Sequence, residues 1–178
     1  MKHLLILISI LLLSSPIFGN NHKAETLYQW GKFPNYKWVG FGDKEEHCIY
    51  KGQVKNGKPH GVGFLECKEW LTKYMGEFKN GEKHGFGKNT EFSLFGNPVN
   101  KYEGNYNDGS QEGKATWTNY HKGYYFIGKF EGSNFSEGKQ YTMDGEYWCK
   151  IDRKDADYER LFLCVGKNGK KVRAFSKM

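Results

Sequence analysis

A five-residue pattern recurs four times in this chain, and it limits the folds open to it. It reads aromatic, any residue, Gly, any residue, then apolar or aromatic. The copies are Tyr50-Lys51-Gly52-Gln53-Val54, Tyr74-Met75-Gly76-Glu77-Phe78, Tyr102-Glu103-Gly104-Asn105-Tyr106 and Phe126-Ile127-Gly128-Lys129-Phe130. They start 24, 28 and 24 residues apart. A near-constant period of this size marks a repeat array, in which each unit buries its apolar face only against its neighbours. Arrays of this kind present surfaces.

Each copy alternates on a period of two, as a strand does. Tyr50, Gly52 and Val54 share one face, and Lys51, Gln53 and Lys55 share the other. The Gly between two bulky residues leaves room for a ring to lie on the backbone. Asn56-Gly57, Asn80-Gly81 and Asp108-Gly109 follow the first three copies, and such pairs favour tight hairpin turns. The return strands are expected to open with Gly61-Val62-Gly63, Gly85-Phe86-Gly87, Gly113-Lys114-Ala115 and Gly138-Lys139-Gln140. On that alignment the fourth unit has one extra residue in its turn, between Glu131 and Glu137, and Ala115 and Gln140 replace the second Gly. Segment 88–101, with Gly96-Asn97-Pro98, adds length before the third unit and is expected to form a contact loop.

Lys2 and His3 precede an apolar run from Leu4 to Leu13, followed by Ser14, Ser15, Pro16 and Gly19. This reads as a secretory signal peptide cleaved near Gly19. Export makes disulfides possible. A hairpin turning at Asn56-Gly57 sets Tyr50 opposite Leu65 and Cys48 opposite Cys67. A turn near Asp155-Ala156-Asp157 sets Cys149 opposite Cys164. Two disulfides, Cys48–Cys67 and Cys149–Cys164, are therefore expected. The formal net charge is +7. Lys167, Lys170, Lys171, Arg173 and Lys177 all follow the last acid, Glu159, and form a candidate site for an anionic surface.

The pattern Tyr-x-Gly-x-Phe/Tyr-x-x-Gly-x-x-x-Gly-x-Gly resembles the MORN repeat (membrane occupation and recognition nexus). Tyr74 to Gly87 matches it throughout, and Tyr50 to Gly63 matches except at Val54. The resemblance covers about half of the chain. It implies a stack of antiparallel β-hairpins in an elongated sheet, with binding and scaffolding as the function, sometimes at acidic membranes. The resulting division is 1–19 signal peptide, 20–49 N-terminal cap or degenerate repeat, 50–141 array, and 142–178 C-terminal β cap with a basic tail. In the first cap Gly40-Phe41-Gly42 resembles the return half of a unit. In the second, Tyr147–Ile151, Leu161–Val165 and Val172–Phe175 are expected strands.

Few residues point to chemistry. His60, His84, Glu112 and Glu137 share the slot before the return-strand Gly and are expected to line up as turn residues, not as metal ligands. Asp152, Asp155, Asp157 and Glu159 lack the spacing of a calcium loop. No Gly-x-Ser-x-Gly elbow and no Cys-x-x-Cys occurs. Asn134-Phe135-Ser136 is a glycosylation sequon. Trp70, Trp117 and Tyr120 fall outside the assigned repeat slots and are the candidate contact aromatics. The expectation is an all-β, secreted or periplasmic, non-enzymatic module with no cofactor or metal. Its partner is a protein or an anionic membrane or envelope surface, and no nucleic acid is expected. The alternatives are an anionic lipid or polysaccharide binder driven by the basic C-terminus, and a small secreted hydrolase or toxin.

Overall fold

The computed structural model describes residues 24–31, 35–152 and 163–173. Residues 1–19, the expected signal peptide, therefore lie outside the described residues. Within them are thirteen strands and no helix: β1 (Ala24–Trp30), β2 (Lys37–Val39), β3 (Cys48–Lys55), β4 (Lys58–Cys67), β5 (Thr72–Lys79), β6 (Glu82–Phe92), β7 (Pro98–Asn107), β8 (Ser110–Asn119), β9 (Tyr124–Glu131), β10 (Asn134–Thr142), β11 (Tyr147–Asp152), β12 (Leu163–Gly166) and β13 (Lys171–Arg173). They form one antiparallel sheet. From β3 to β13 the order in the sheet is the order in the chain. At the other end β1 lies between β3 and β2.

The repeats are the hairpins β3–β4, β5–β6, β7–β8 and β9–β10. Asn56-Gly57, Asn80-Gly81 and Asp108-Gly109 all have positive φ at both positions. Such two-residue turns match the right-handed twist of the strands they join. Gly132-Ser133 does the same for the fourth hairpin without an Asn or Asp.

One sheet face is a continuous ladder of rings. Tyr50 packs on Phe78, Phe78 on Tyr74, Tyr74 on Tyr106, Tyr106 on Tyr102 and Tyr102 on Phe130, all edge to face with centroids 4.9–5.2 Å apart. The edge-to-face arrangement sets the positive rim of one ring on the negative face of the next. The glycines make room for it. A Cβ on Gly63 would lie 2.3 Å from Tyr50 Cε2, and one on Gly87 would lie 2.2 Å from Tyr74 Oη. Each tyrosine hydroxyl then donates to the carbonyl three residues ahead: Tyr50 to Gln53, Tyr74 to Glu77 and Tyr102 to Asn105, at 2.6, 2.9 and 2.8 Å. The same ring fills the space and satisfies a polar backbone atom.

Past the glycine pair, each of the first three return strands carries two extra residues. Gly52 pairs with Gly63 but Val54 with Pro59, and the later units repeat the shift. In the first two bulges a side chain closes the gap: Gln53 Oε1 accepts from the Val62 amide, and Glu77 Oε1 from the Phe86 amide.

The fourth unit corrects the sequence alignment. Gly138 pairs with Gly128, so it holds the slot of Gly63 and Gly87. Gln140 pairs with Phe126, in the slot of Leu65, Asn89 and Trp117. The unit is one residue shorter in its bulge, not one longer, and Glu137 leaves the slot of His60 and His84. Phe126 has no hydroxyl, so the Ser136 hydroxyl donates instead to the equivalent carbonyl, that of Lys129, at 3.1 Å. The Phe135 ring, from the return strand, occupies the space beside Gly128.

Two further expectations change. Gly40-Phe41-Gly42 is irregular chain, not a return strand, and it is held by a hydrogen bond from Trp30 Nε1 to the Phe41 carbonyl. Between β11 and β12, Cys149 pairs with Gly166 and Lys150 with Val165. Cys149 therefore does not face Cys164 across the ladder, because the centre of the connection lies one residue further along than the expected turn. Residues 153–162, which hold that turn and Asp155, Asp157 and Glu159, lie outside the described residues. So does the Cys164 side chain. Cys149 is fully buried and disulfide-bonded.

Candidate functional site

Tight turns occupy one rim of the slab, and longer connections occupy the opposite rim. The tight rim is locked. The amides of Gly81, Gly109 and Ser133 each donate at 2.9 Å to a carbonyl of the preceding hairpin, at Pro59, Lys83 and Gln111. Side chains repeat the tie. The Asn80 amide reaches His60 Nδ1, His84 Nδ1 lies 3.6 Å from Asp108, and the Gly132 amide donates to Glu112. His60 and Glu112 thus join neighbouring hairpins, and His84 stands against the next turn. Among the described residues no group of three metal-ligating side chains occurs.

The long-connection rim is apolar at its tips. Leu94 and Phe95, in the 93–97 loop between β6 and β7, are 87% and 92% exposed. The loop backbone is itself held by bonds between Ser93 and Asn97 and from Gly96 to Ser93. The two side chains therefore project from an ordered turn. Trp70 (57% exposed) and Tyr120 stand on the flanking connections, and Met143 on the next one. Exposed Lys68 and Lys122 share these connections.

Of the three aromatics expected to make contacts, Trp70 and Tyr120 are exposed on this rim. Trp117 is not. It is partly buried against the core, pairs with Tyr102 and Phe126 across the ladder, and fills the slot that holds Leu65 in the first unit. It looked like an extra because one ladder slot varies from Leu to Asn to Trp to Gln.

The expected pairing of Cys48 with Cys67 is present, with Cα atoms 4.1 Å apart. Of the basic tail, Lys167 and Lys170 are exposed, and Lys167 lies 3.6 Å from Glu146. The side chains of Lys171 and Arg173, and all of Lys177, lie outside the described residues.

Two features escape a reading of the sequence. One is a groove of about 670 Å³ on the ring face of the first two units, walled in part by Tyr36, Trp38, Trp70, Tyr74 and Phe78. Lys83 lines it together with Glu82 and Asp108. The other is a row of lysines on the outer face, where Lys114 stands opposite Lys129, itself paired with Glu131 at 2.6 Å, and Lys139 stands opposite Lys150.

The MORN repeat family model matches residues 50–72, 74–88 and 102–119. The chain carries MORN repeats. The matched stretches are the first three units, which share the tyrosine-to-carbonyl bond and the two-residue bulge. No curated protein matches the chain. MORN repeats are in general modules for protein or membrane interaction.

Proposed function

We propose that this MORN protein is an exported, non-enzymatic binding module that grips a protein partner by its long-connection rim. One observation carries the reading: Leu94 and Phe95 stand almost fully exposed on an ordered loop, flanked by Trp70 and Tyr120. Adjacent large apolar side chains in water are disfavoured unless something covers them. Aromatic anchors near the centre of a patch supply most of the energy in protein interfaces. Export is supported by the apolar leader and by the buried Cys48–Cys67 disulfide, since such bonds persist in oxidising compartments. The experiment is affinity capture from the extracellular or periplasmic fraction with the wild type and a Leu94→Ser/Phe95→Ser double variant. A partner held by the wild type and released by the variant supports the reading. A partner held equally by both overturns it.

The second reading is charge-driven binding to an anionic lipid or polysaccharide surface. The facing pair Lys139/Lys150 favours it, because like charges set opposite each other cost stability unless an anion neutralises them. Lys167 and Lys170 would extend the same charge. This binding should fade as salt rises and should survive loss of Leu94 and Phe95.

A further inference from the structure

Lys83 occupies a position that the rest of the ladder keeps free of charge. The residue opposite the fifth-position side chain is Pro59 in the first unit, Gln111 in the third and Phe135 in the fourth. In the second unit it is Lys83, opposite Phe78. Its Nζ lies 4.8 Å from the Tyr74 ring centre and 5.7 Å from that of Tyr106. It donates to Asn89 Oδ1 at 2.8 Å. Asn89 in turn holds the slot of Leu65 and Trp117. The second unit has therefore set an amine and its acceptor at two adjacent core positions.

The charged and titratable groups facing Lys83 are otherwise engaged. On its own strand Glu82 accepts from the Tyr36 hydroxyl and Glu91 from the Asn100 amide. In the turn of the next hairpin Asp108 is largely exposed to water and lies 3.6 Å from His84 Nδ1. On β5 and β7 the facing hydroxyls are those of Tyr74 and Tyr106, which burial keeps protonated. The hydrogen-bond partner of the amine is thus a neutral amide, and its neighbours are rings. Burial pushes Lys83 down to about 8, with Glu91 and Glu82 opposing the shift. Roughly a tenth of the molecules then carry the free amine at pH 7, against well under a thousandth for an ordinary lysine. Desolvated amines beside apolar walls are the ones that act as nucleophiles toward carbonyl carbon.

We propose that the ring-walled groove is a covalent capture site for small aldehydes with a flat apolar body, and that Lys83 is its nucleophile. The amine lone pair adds to the aldehyde carbon, and the carbonyl π pair moves to oxygen, which takes up a proton. The nitrogen gives up both of its protons in all and the oxygen takes up two, the C–O bond breaks as water leaves, and the nitrogen lone pair closes the C=N bond, so that one aldehyde and one amine give one imine and one water. No oxidant, reductant or other reactant is consumed. Water reverses the step, so capture is an equilibrium. Trp38 and Trp70 supply the walls on which a flat ligand stacks.

The test uses the full-length protein with salicylaldehyde and, separately, formaldehyde. Borohydride-type reduction traps the imine, and peptide mass spectrometry reads the site. With salicylaldehyde at pH 7, Lys83 is expected to label at least tenfold faster than exposed Lys51 and to reach half its maximal rate near pH 8. Lys83→Arg removes the fast site. Trp70→Ala alters a side chain that is more than half exposed, and it is expected to slow salicylaldehyde labelling of Lys83 several-fold while leaving formaldehyde labelling unchanged. Labelling of Lys83 no faster than Lys51 overturns the nucleophile. Equal labelling by both aldehydes in the wild type and Trp70→Ala overturns the groove as the ligand's seat.

Discussion

At the scale of single residues, the glycines of this protein divide by the reason each is there. Gly63 is glycine for space: any Cβ would sit inside the Tyr50 ring. Gly113 is glycine for conformation: its φ is +73°, and the nearest side-chain atom to a new Cβ is 3.9 Å away. Gly63→Ala is therefore expected to cost about 1–3 kcal/mol by overpacking. Gly113→Ala is expected to cost about 1–2 kcal/mol through the left-handed backbone alone. Urea unfolding of the two variants checks both. The difference should also show in near-ultraviolet circular dichroism, which only the first substitution should disturb. Ser136 offers a second test at this scale. Its hydroxyl replaces the missing tyrosine bond, so Ser136→Ala strands the Lys129 carbonyl and should cost about 1–2 kcal/mol. That role was not legible in the sequence. Ser136 reads there as the third position of a glycosylation sequon, and only the register of β9 and β10 shows which carbonyl it serves.

At the scale of the hairpin, the registers of the first three units were legible because two signals coincide. The alternation around Gly52, Gly76 and Gly104 fixes the faces, and the Asn-Gly or Asp-Gly turn fixes the pairing. That was enough to set Cys48 opposite Cys67. In the fourth unit the turn is Gly132-Ser133, and the glycine after it is Gly138. Nothing in the sequence says whether Gly138 belongs to the bulge or to the glycine pair, and the bulge length decides. The β11–β12 register failed for a related reason: no turn dipeptide anchors it. The Cys48–Cys67 link closes a separation of 19 residues. Its loss in a Cys48→Ala/Cys67→Ala variant should cost about 3 kcal/mol on the chain-entropy account. The melting temperature of that variant, compared with the wild type, measures it. The Leu94→Ser/Phe95→Ser variant should, by contrast, melt within about 0.5 kcal/mol of the wild type, because both side chains are in water already.

At the scale of the whole molecule, the buried titratable groups make stability depend on alkaline pH in two opposed ways. Lys83 sits at about 8 in the fold and at 10.5 when unperturbed. Between those values the unfolded chain binds more protons than the folded one, so stability rises with pH. Below about pH 8 both states are charged and the effect is flat. Burial pushes Tyr50, Tyr102 and Tyr124 up to about 12. Above their ordinary value of 10 the unfolded chain ionises first, so stability falls. Urea midpoints measured from pH 7 to pH 11 should therefore pass through a maximum at about pH 9.5, where the several tyrosines overtake the single lysine. The rising limb should vanish in Lys83→Met, while the falling limb remains.

The contrast between the two rims has a consequence for how such a protein can change. Of the four extra residues between the second and third units, one lengthens β6, two lengthen β7 and one lengthens the loop between them, while the glycine–ring pairing on either side continues unbroken. That rim can accept grafted sequence, such as an epitope or a foreign loop, without renegotiating the interior. The opposite rim cannot, because the turns of the second, third and fourth hairpins are also fasteners for the hairpin before each.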